Sequence, residues 1–239
     1  MNNLLDQQHE GYTKEITRDF FKNVYAYMFL ALAISGGIAY YVGSSAEMFN
    51  QYFRSETGGW TPLFYVILFA PIGVSLLIQS AYRRLSMTAL MSLFILYSGL
   101  IGLMLSSVFM FYSMQSIAVT FFVTAGAFGG MAILGFTTKT DLTKMGSLLY
   151  YVFIGLFFAF IANWYFKSLQ FDYILSFIGV FVFTGLTAFW MQKLKNVSQD
   201  SMLQGVERQK LALVGGLTLY ILFINLFLML LRFTGGSRD

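Results

Sequence analysis

No Asp, Glu, Lys or Arg occurs from Asn23 to Ala46, Thr57 to Tyr82, Leu85 to Thr138, Met145 to Phe166, Tyr173 to Gln192 or Leu211 to Leu231. A helix crosses the roughly 30 Å hydrocarbon core of a bilayer with about 20 residues. Five of these intervals therefore hold one span each, and the 54-residue third interval holds two. The chain is predicted to be an all-α membrane protein of seven transmembrane helices. The expected spans are Val24–Gly43, Pro62–Tyr82, Met87–Leu105, Ile117–Phe136, Gly146–Phe166, Tyr173–Gln192 and Leu211–Leu231, with the break in the long interval falling within Ser106–Ser116. All connections are short, so residues 1–239 read as one domain with a short polar cytoplasmic N-terminal tail, residues 1–19, and no cleaved leader is expected. Pro62 opens a span, while Pro71 lies inside one and should kink it.

Composition agrees with this reading. Hydrophobic residues make up 57% of the chain and charged residues 11%, too few to cover a water-soluble fold of this size. The absence of cysteine removes disulfides and thiolate metal sites. A net charge of +4 is better read as a topology signal than as affinity for nucleic acid, and no nucleic-acid partner is expected. With a cytoplasmic N-terminus, eleven basic residues fall inside (Lys14, Arg18, Lys22, Arg83, Arg84, Lys139, Lys144, Lys193, Lys195, Arg208 and Lys210) and four outside. That bias predicts an external C-terminus. Tyr40, Tyr41, Trp60, Trp164 and Tyr165 then lie near the outer boundary, where aromatic side chains collect. Two small-residue pairs at i, i+4, Ser98 with Gly102 and Gly126 with Gly130, mark close helix packing.

The spans contain no ionisable acid or base, which excludes most membrane chemistry. An intramembrane metalloprotease needs a His pair and a Glu on one helix, an aspartyl protease two carboxylates, and a retinal pump a lysine in the last span. None can be assembled here, and the lone histidine, His9, reads as a solvated tail residue. No catalytic residue, cofactor or metal site is expected, and the protein is not read as an enzyme. The neutral polar residues of the spans are expected to bond from helix to helix, with Thr187 and Asn225 as the leading candidates and Asn225 as an organising contact; lining a hydrated path is the alternative.

From Arg83 onward the chain carries RRLSMTALMSLFILYSGLIGLMLS (Arg83–Ser106), SIAVTFFVTAGAFGGMAILGFTTKTDLTKMGSLL (Ser116–Leu149), FIGVFVFTGLTA (Phe177–Ala188) and LYILFINLFLMLLRF (Leu219–Phe233). Over about two-thirds of its length it resembles the Bax inhibitor-1 family, in its YccA-type bacterial branch. The resemblance implies six helices around a central hydrophobic seventh, and residence in the bacterial plasma (inner) membrane. It also implies a role in calcium homeostasis and stress responses, either as a calcium or cation leak or as a partner of a membrane-bound AAA protease. The family's leak rests on two aspartates, in patterns like T-A-Y-D-x-Q-K and L-Y-L-D-F-I-N-L-F. Here those segments read TAFWMQK and LYILFINLF, so Trp190 and Leu222 stand in the acid positions.

Neither replacement can bind a proton or calcium, so an acid-based pH gate is not expected. Two readings follow: a transport-like leak without that gate, whose flux would barely change between about pH 6 and 8, or a non-enzymatic regulator docking through its cytoplasmic loops, chiefly Lys193–Lys210. Trp190 sits near the inner end of its expected span and Leu222 near the middle of its own. For the two to meet, the sixth span must continue past Lys193 or the last must tilt.

Overall fold

The computed structural model describes residues 2–55, 59–200, 203 and 205–234, with backbone alone over residues 2–12. Among the described residues are eight helices and no strand: α1 (Asn2–Gly43), α2 (Ala46–Phe53), α3 (Pro62–Ala81), α4 (Met87–Phe111), α5 (Met114–Thr137), α6 (Thr143–Phe166), α7 (Leu169–Ser198) and α8 (Gly205–Thr234). Seven of them are long and apolar enough to cross a membrane. The all-α membrane architecture is thus as the charge-free intervals predict, and the turn between α4 and α5 falls inside Ser106–Ser116.

The helices outrun those intervals where polar residues continue the helical backbone. The polar residues read as an N-terminal tail are helical from Asn2 and continuous with the first span in α1. Likewise α7 continues beyond Lys193 to Ser198, and α8 begins at Gly205, which shrinks the expected Lys193–Lys210 loop to residues 199–204. The ends of a span are set by backbone hydrogen bonding and not by the last apolar side chain, because Lys and Arg can carry a helix out of the bilayer on flexible stems. α3 runs on through Pro71. The short α2 went unforeseen; Ser45 caps it, accepting from the Met48 N–H at 3.3 Å, and Phe49 and Phe53 anchor it against Val42 and Ile67. His9 lies outside the described side chains, and Arg238 and Asp239 outside the described residues.

The chain forms two compact units, one of Met1–Phe111 with Ser198–Tyr220 and one of Tyr112–Val197 with Ile221–Ser237. Each takes one half of α8, and 72% of that helix's most apolar stretch is buried, against 50% or less in the other spans.

In the first unit, absent side chains let backbones touch. A Cβ on Gly102 would meet Ser35 O at 2.8 Å and Ile38 Cβ at 2.9 Å, so the Ser98/Gly102 pair does seat α4 on α1. One on Gly216 of α8 would meet Val24 O at 2.7 Å. Tyr97 and Tyr220 meet edge to face at 6.1 Å between ring centres. The pair Gly126/Gly130 packs nothing, with open space at both positions. Both lie in α5, whose lipid-accessible side also carries the exposed Phe122 and Ile133.

Candidate functional site

The two positions that carry the departure from the family pattern lie in the second unit, on α7 and α8. α7 is held there by small residues. Gly135 of α5 lies on the Ala188 backbone, Gly146 of α6 receives the Phe189 ring, Gly185 receives Leu149, and Gly179 receives Met229 of α8 with a would-be Cβ only 2.7 Å from its sulfur. Over eleven residues, Gly179 to Phe189, α7 thus contacts three helices at backbone range.

Immediately after this seam comes a polar cluster built from two of the quoted sequence blocks. The Trp190 indole N–H donates to Tyr150 Oη at 2.6 Å, and the Lys193 ammonium lies over the indole face, 4.4 Å from its centroid. Gln192 accepts from the Leu142 N–H and donates to the Thr140 carbonyl, both at 2.8 Å, so one amide clasps the α5–α6 loop from both sides. Lys195 donates to the Phe136 carbonyl at 2.8 Å in the last turn of α5. In the loop, Asp141 accepts from the Thr143 hydroxyl at 2.6 Å and from its N–H at 2.9 Å. Those bonds hold the Asp141 carboxyl below the ordinary aspartate value.

The K-T-D-L and W-x-Q-K segments, far apart in sequence, therefore form one end of the unit. Sequence reasoning singled out both as family marks but missed Gln192 and Tyr150 as their link; the only available signal was an amide and a phenol at the ends of apolar spans. Replacing Gln192 with alanine leaves the Leu142 N–H without its partner and is expected to cost about 1–3 kcal/mol. Hydrogen exchange should then rise locally across residues 139–144; unchanged exchange there would show that the loop does not depend on Gln192.

Leu222 is buried at 5% exposure. Its neighbour Phe223 meets the rings of Phe121 and Phe128 at 5.4 and 5.5 Å. α7 and α8 run antiparallel in a register set at one end by Asp172 with Arg232 (3.5 Å) and by the Tyr173 hydroxyl donating to the Phe233 carbonyl (3.1 Å), then by Gly179 with Met229. Continuing that register brings Leu222 level with Leu186. Trp190 lies four residues further along α7, about 6 Å at 1.5 Å per residue. The pairing of Asp172 with Arg232, Tyr173 with Phe233 and Gly179 with Met229 is what sets the offset at about one turn.

The polar candidates do not bridge helices. Thr187, fully buried, donates to the Phe183 carbonyl at 2.7 Å, and Asn225 Nδ2 donates to the Ile221 carbonyl at 2.8 Å, each on its own helix. Asn225 therefore does not show the interhelical organising bond expected of it. Ser98, Thr124, Thr184 and Thr218 follow the same pattern, each donating to the carbonyl four residues back. A hydroxyl flanked by apolar helices finds its nearest acceptor in its own turn, which competes with any cross-helix partner. Thr120 and Asn163 do otherwise: Thr120 meets Thr234 at 3.2 Å, and Asn163 Oδ1 accepts from the Ser168 N–H where α6 ends at left-handed Lys167. Among the described residues no group of three or more imidazole or carboxylate side chains comes together to hold a metal.

Comparison with known proteins agrees with the sequence blocks. The family model described as inhibitor of apoptosis-promoting Bax1 matches residues 17–239. The inner membrane protein YbhL of Escherichia coli strain K12 is 38% identical, over 92% of this chain and 92% of its own. An uncharacterized protein of Borreliella burgdorferi is 38% identical, over 99% of this chain and 100% of its own. One from Caulobacter vibrioides is 39% identical, over 93% and 90%.

Proposed function

The chain belongs to the Bax inhibitor-1 family, and from that premise we propose that it is a non-enzymatic, non-conducting regulator of the bacterial inner membrane. It acts by contact with another membrane complex, with a membrane-bound AAA protease as the partner class that the family resemblance implies. The observation that supports this reading is the chemistry of the two replaced positions: an indole hydrogen-bonded to Tyr150 and a buried leucine. A leak for calcium or other cations needs oxygen ligands along its path. Thr187 and Asn225, each three residues from one of these positions, donate to carbonyls of their own helices. That weighs against the transport-like reading.

Co-reconstitution with a membrane-bound AAA protease tests the proposal. Proteolysis of a membrane substrate is expected to change at least about twofold, a small fraction of the 5–150-fold range of allosteric coupling. An unchanged rate over a wide range of protein ratios would remove the protease as the partner.

The proposed orientation is N-terminus in and C-terminus out, supported by the eleven-to-four basic asymmetry. Reporters on the two ends of the full chain should mark opposite sides of the membrane. The same side for both would contradict an odd number of spans.

A further inference from the structure

At the α5–α6 loop of the second unit, three lysines, Lys139, Lys144 and Lys193, are exposed, and Lys195 reaches the Phe136 carbonyl. The acid beside them, Asp141, already accepts two hydrogen bonds from Thr143. Among the described residues no carboxylate pairs with Lys193; its ammonium lies instead over the Trp190 indole at 4.4 Å. The indole is fixed in turn by its bond to Tyr150 Oη. That phenol oxygen acts there as acceptor, which leaves its own O–H free to donate, since a tyrosine hydroxyl can do both. An ammonium and a phenol donor thus converge on one indole at the end of two spans. Deeper along the same face of α6 the side chains are apolar and outward: Ile154 is 49% exposed and Phe157 47%. Positive charge and a hydroxyl donor at the membrane boundary, directly above acyl-facing surface, complement an anionic headgroup attached to lipid chains.

We propose that Lys193, Trp190 and Tyr150 form a binding site for an anionic phospholipid. The phosphate and headgroup hydroxyls engage Lys193 and the Tyr150 O–H, and the acyl chains lie along Ile154 and Phe157. A membrane lipid is favoured over a soluble anion because the donors border apolar side chains that only the bilayer would cover. The site uses the residue that replaces one family acid, so the substitution creates a binding surface as well as removing a titrating group.

The test uses the full chain with Trp60 and Trp164 replaced by phenylalanine, which keeps the Trp60 stack on Phe64 in aromatic form and leaves Trp190 as the reporter. The protein is reconstituted with rising mole fractions of brominated phosphatidylglycerol or brominated phosphatidylcholine. Trp190 fluorescence should be half-quenched at a phosphatidylglycerol fraction at least about threefold lower than for phosphatidylcholine, a preference expected of roughly one interfacial lysine. The preference should vanish in Lys193→Gln and persist in Lys193→Arg. Equal quenching by the two lipids, or an undiminished preference in Lys193→Gln, would overturn the proposal. If the single-tryptophan chain does not fold, native mass spectrometry of the unmodified protein and of Lys193→Gln gives the same decision. Phosphatidylglycerol adducts should survive on the first and be lost from the second, and equal retention would overturn the site.

Discussion

Gly135→Ala is expected to destabilise the protein by about 3 kcal/mol, at the upper end of what overpacking costs. The reason is what the added methyl would meet. At Gly135 it lands on the Ala188 backbone, with the carbonyl carbon and Cα both at 2.7 Å. A side chain can rotate away from such a contact, but a backbone in mid-helix can move only with its helix. The clash would therefore push α5 from α7 just above the turn where Lys195 holds the end of α5 and Gln192 clasps the α5–α6 loop. Gly130→Ala on the same helix is the control. Nothing lies within 4 Å of a Cβ there, so the only term is the gain in helix propensity, about 1 kcal/mol at most. Thermal unfolding of both variants in detergent, followed by circular dichroism and by size exclusion after heating, checks the pair. Equal melting temperatures would mean that α5 and α7 do not meet at Gly135 and Ala188.

The second large effect is expected where the family acids are missing. Leu222→Asp alone puts a carboxyl at a buried, mid-span position, where a charge costs about 2.5–3.5 kcal/mol on the mildest scale; the group should remain protonated or destabilise the bundle. Trp190→Asp removes the bond to Tyr150 and sets a carboxyl three residues from Lys193, which favours its ionised form. With one helical turn between the two levels, flexible side chains can bring the carboxyls together. The double variant should then share a proton, raise one apparent pKa towards neutrality and respond to pH in a calcium-flux assay. Its stability should differ from the sum of the single changes by about 0.5–3 kcal/mol, as contacting residues do. Additive stabilities with no pH response in a folded double variant would show that Trp190 and Leu222 do not meet.

The spans were legible because a bilayer imposes one rule on side chains: charge-free runs of sufficient length had to be helices that cross it. Their ends were less so. α1 and α7 continue through Lys14 to Lys22 and through Lys193 to Asn196 because a helix outside the bilayer needs no apolar side chains, and nothing in a charge count marks where its backbone bonding stops. α2 was hidden for a similar reason: eight residues are too short for a span, and its Ser45 cap and the Phe49/Phe53 pair stand out only once Val42 and Ile67 are seen beside them.

Small-residue spacing identified the α4 contact with α1 at Gly102 but not the others. Gly126 and Gly130 satisfied the small-residue pattern and face open space, whereas Gly135 and Gly179, which no i, i+4 partner had highlighted, carry the close approaches. Sequence spacing selects a helix face but not which face has a neighbour. The polar residues failed in the opposite sense. Thr187 and Asn225 both donate to carbonyls of their own helices, a choice that depends on local rotamers. The replaced acid positions were read from motif resemblance, and their surroundings, Tyr150 and the register with α8, required coordinates.

Calcium entry into sealed liposomes containing the purified wild-type protein, followed with an internal indicator at about pH 6 and about pH 8, addresses the absence of an acid gate most directly, because that interval spans the range in which a coupled carboxylate or a histidine would titrate. The expected result is entry no faster than in protein-free vesicles at both values. Entry above that background would contradict the non-conducting reading, and a steep change between the two pH values would mean that a titrating group gates the bundle despite Trp190 and Leu222.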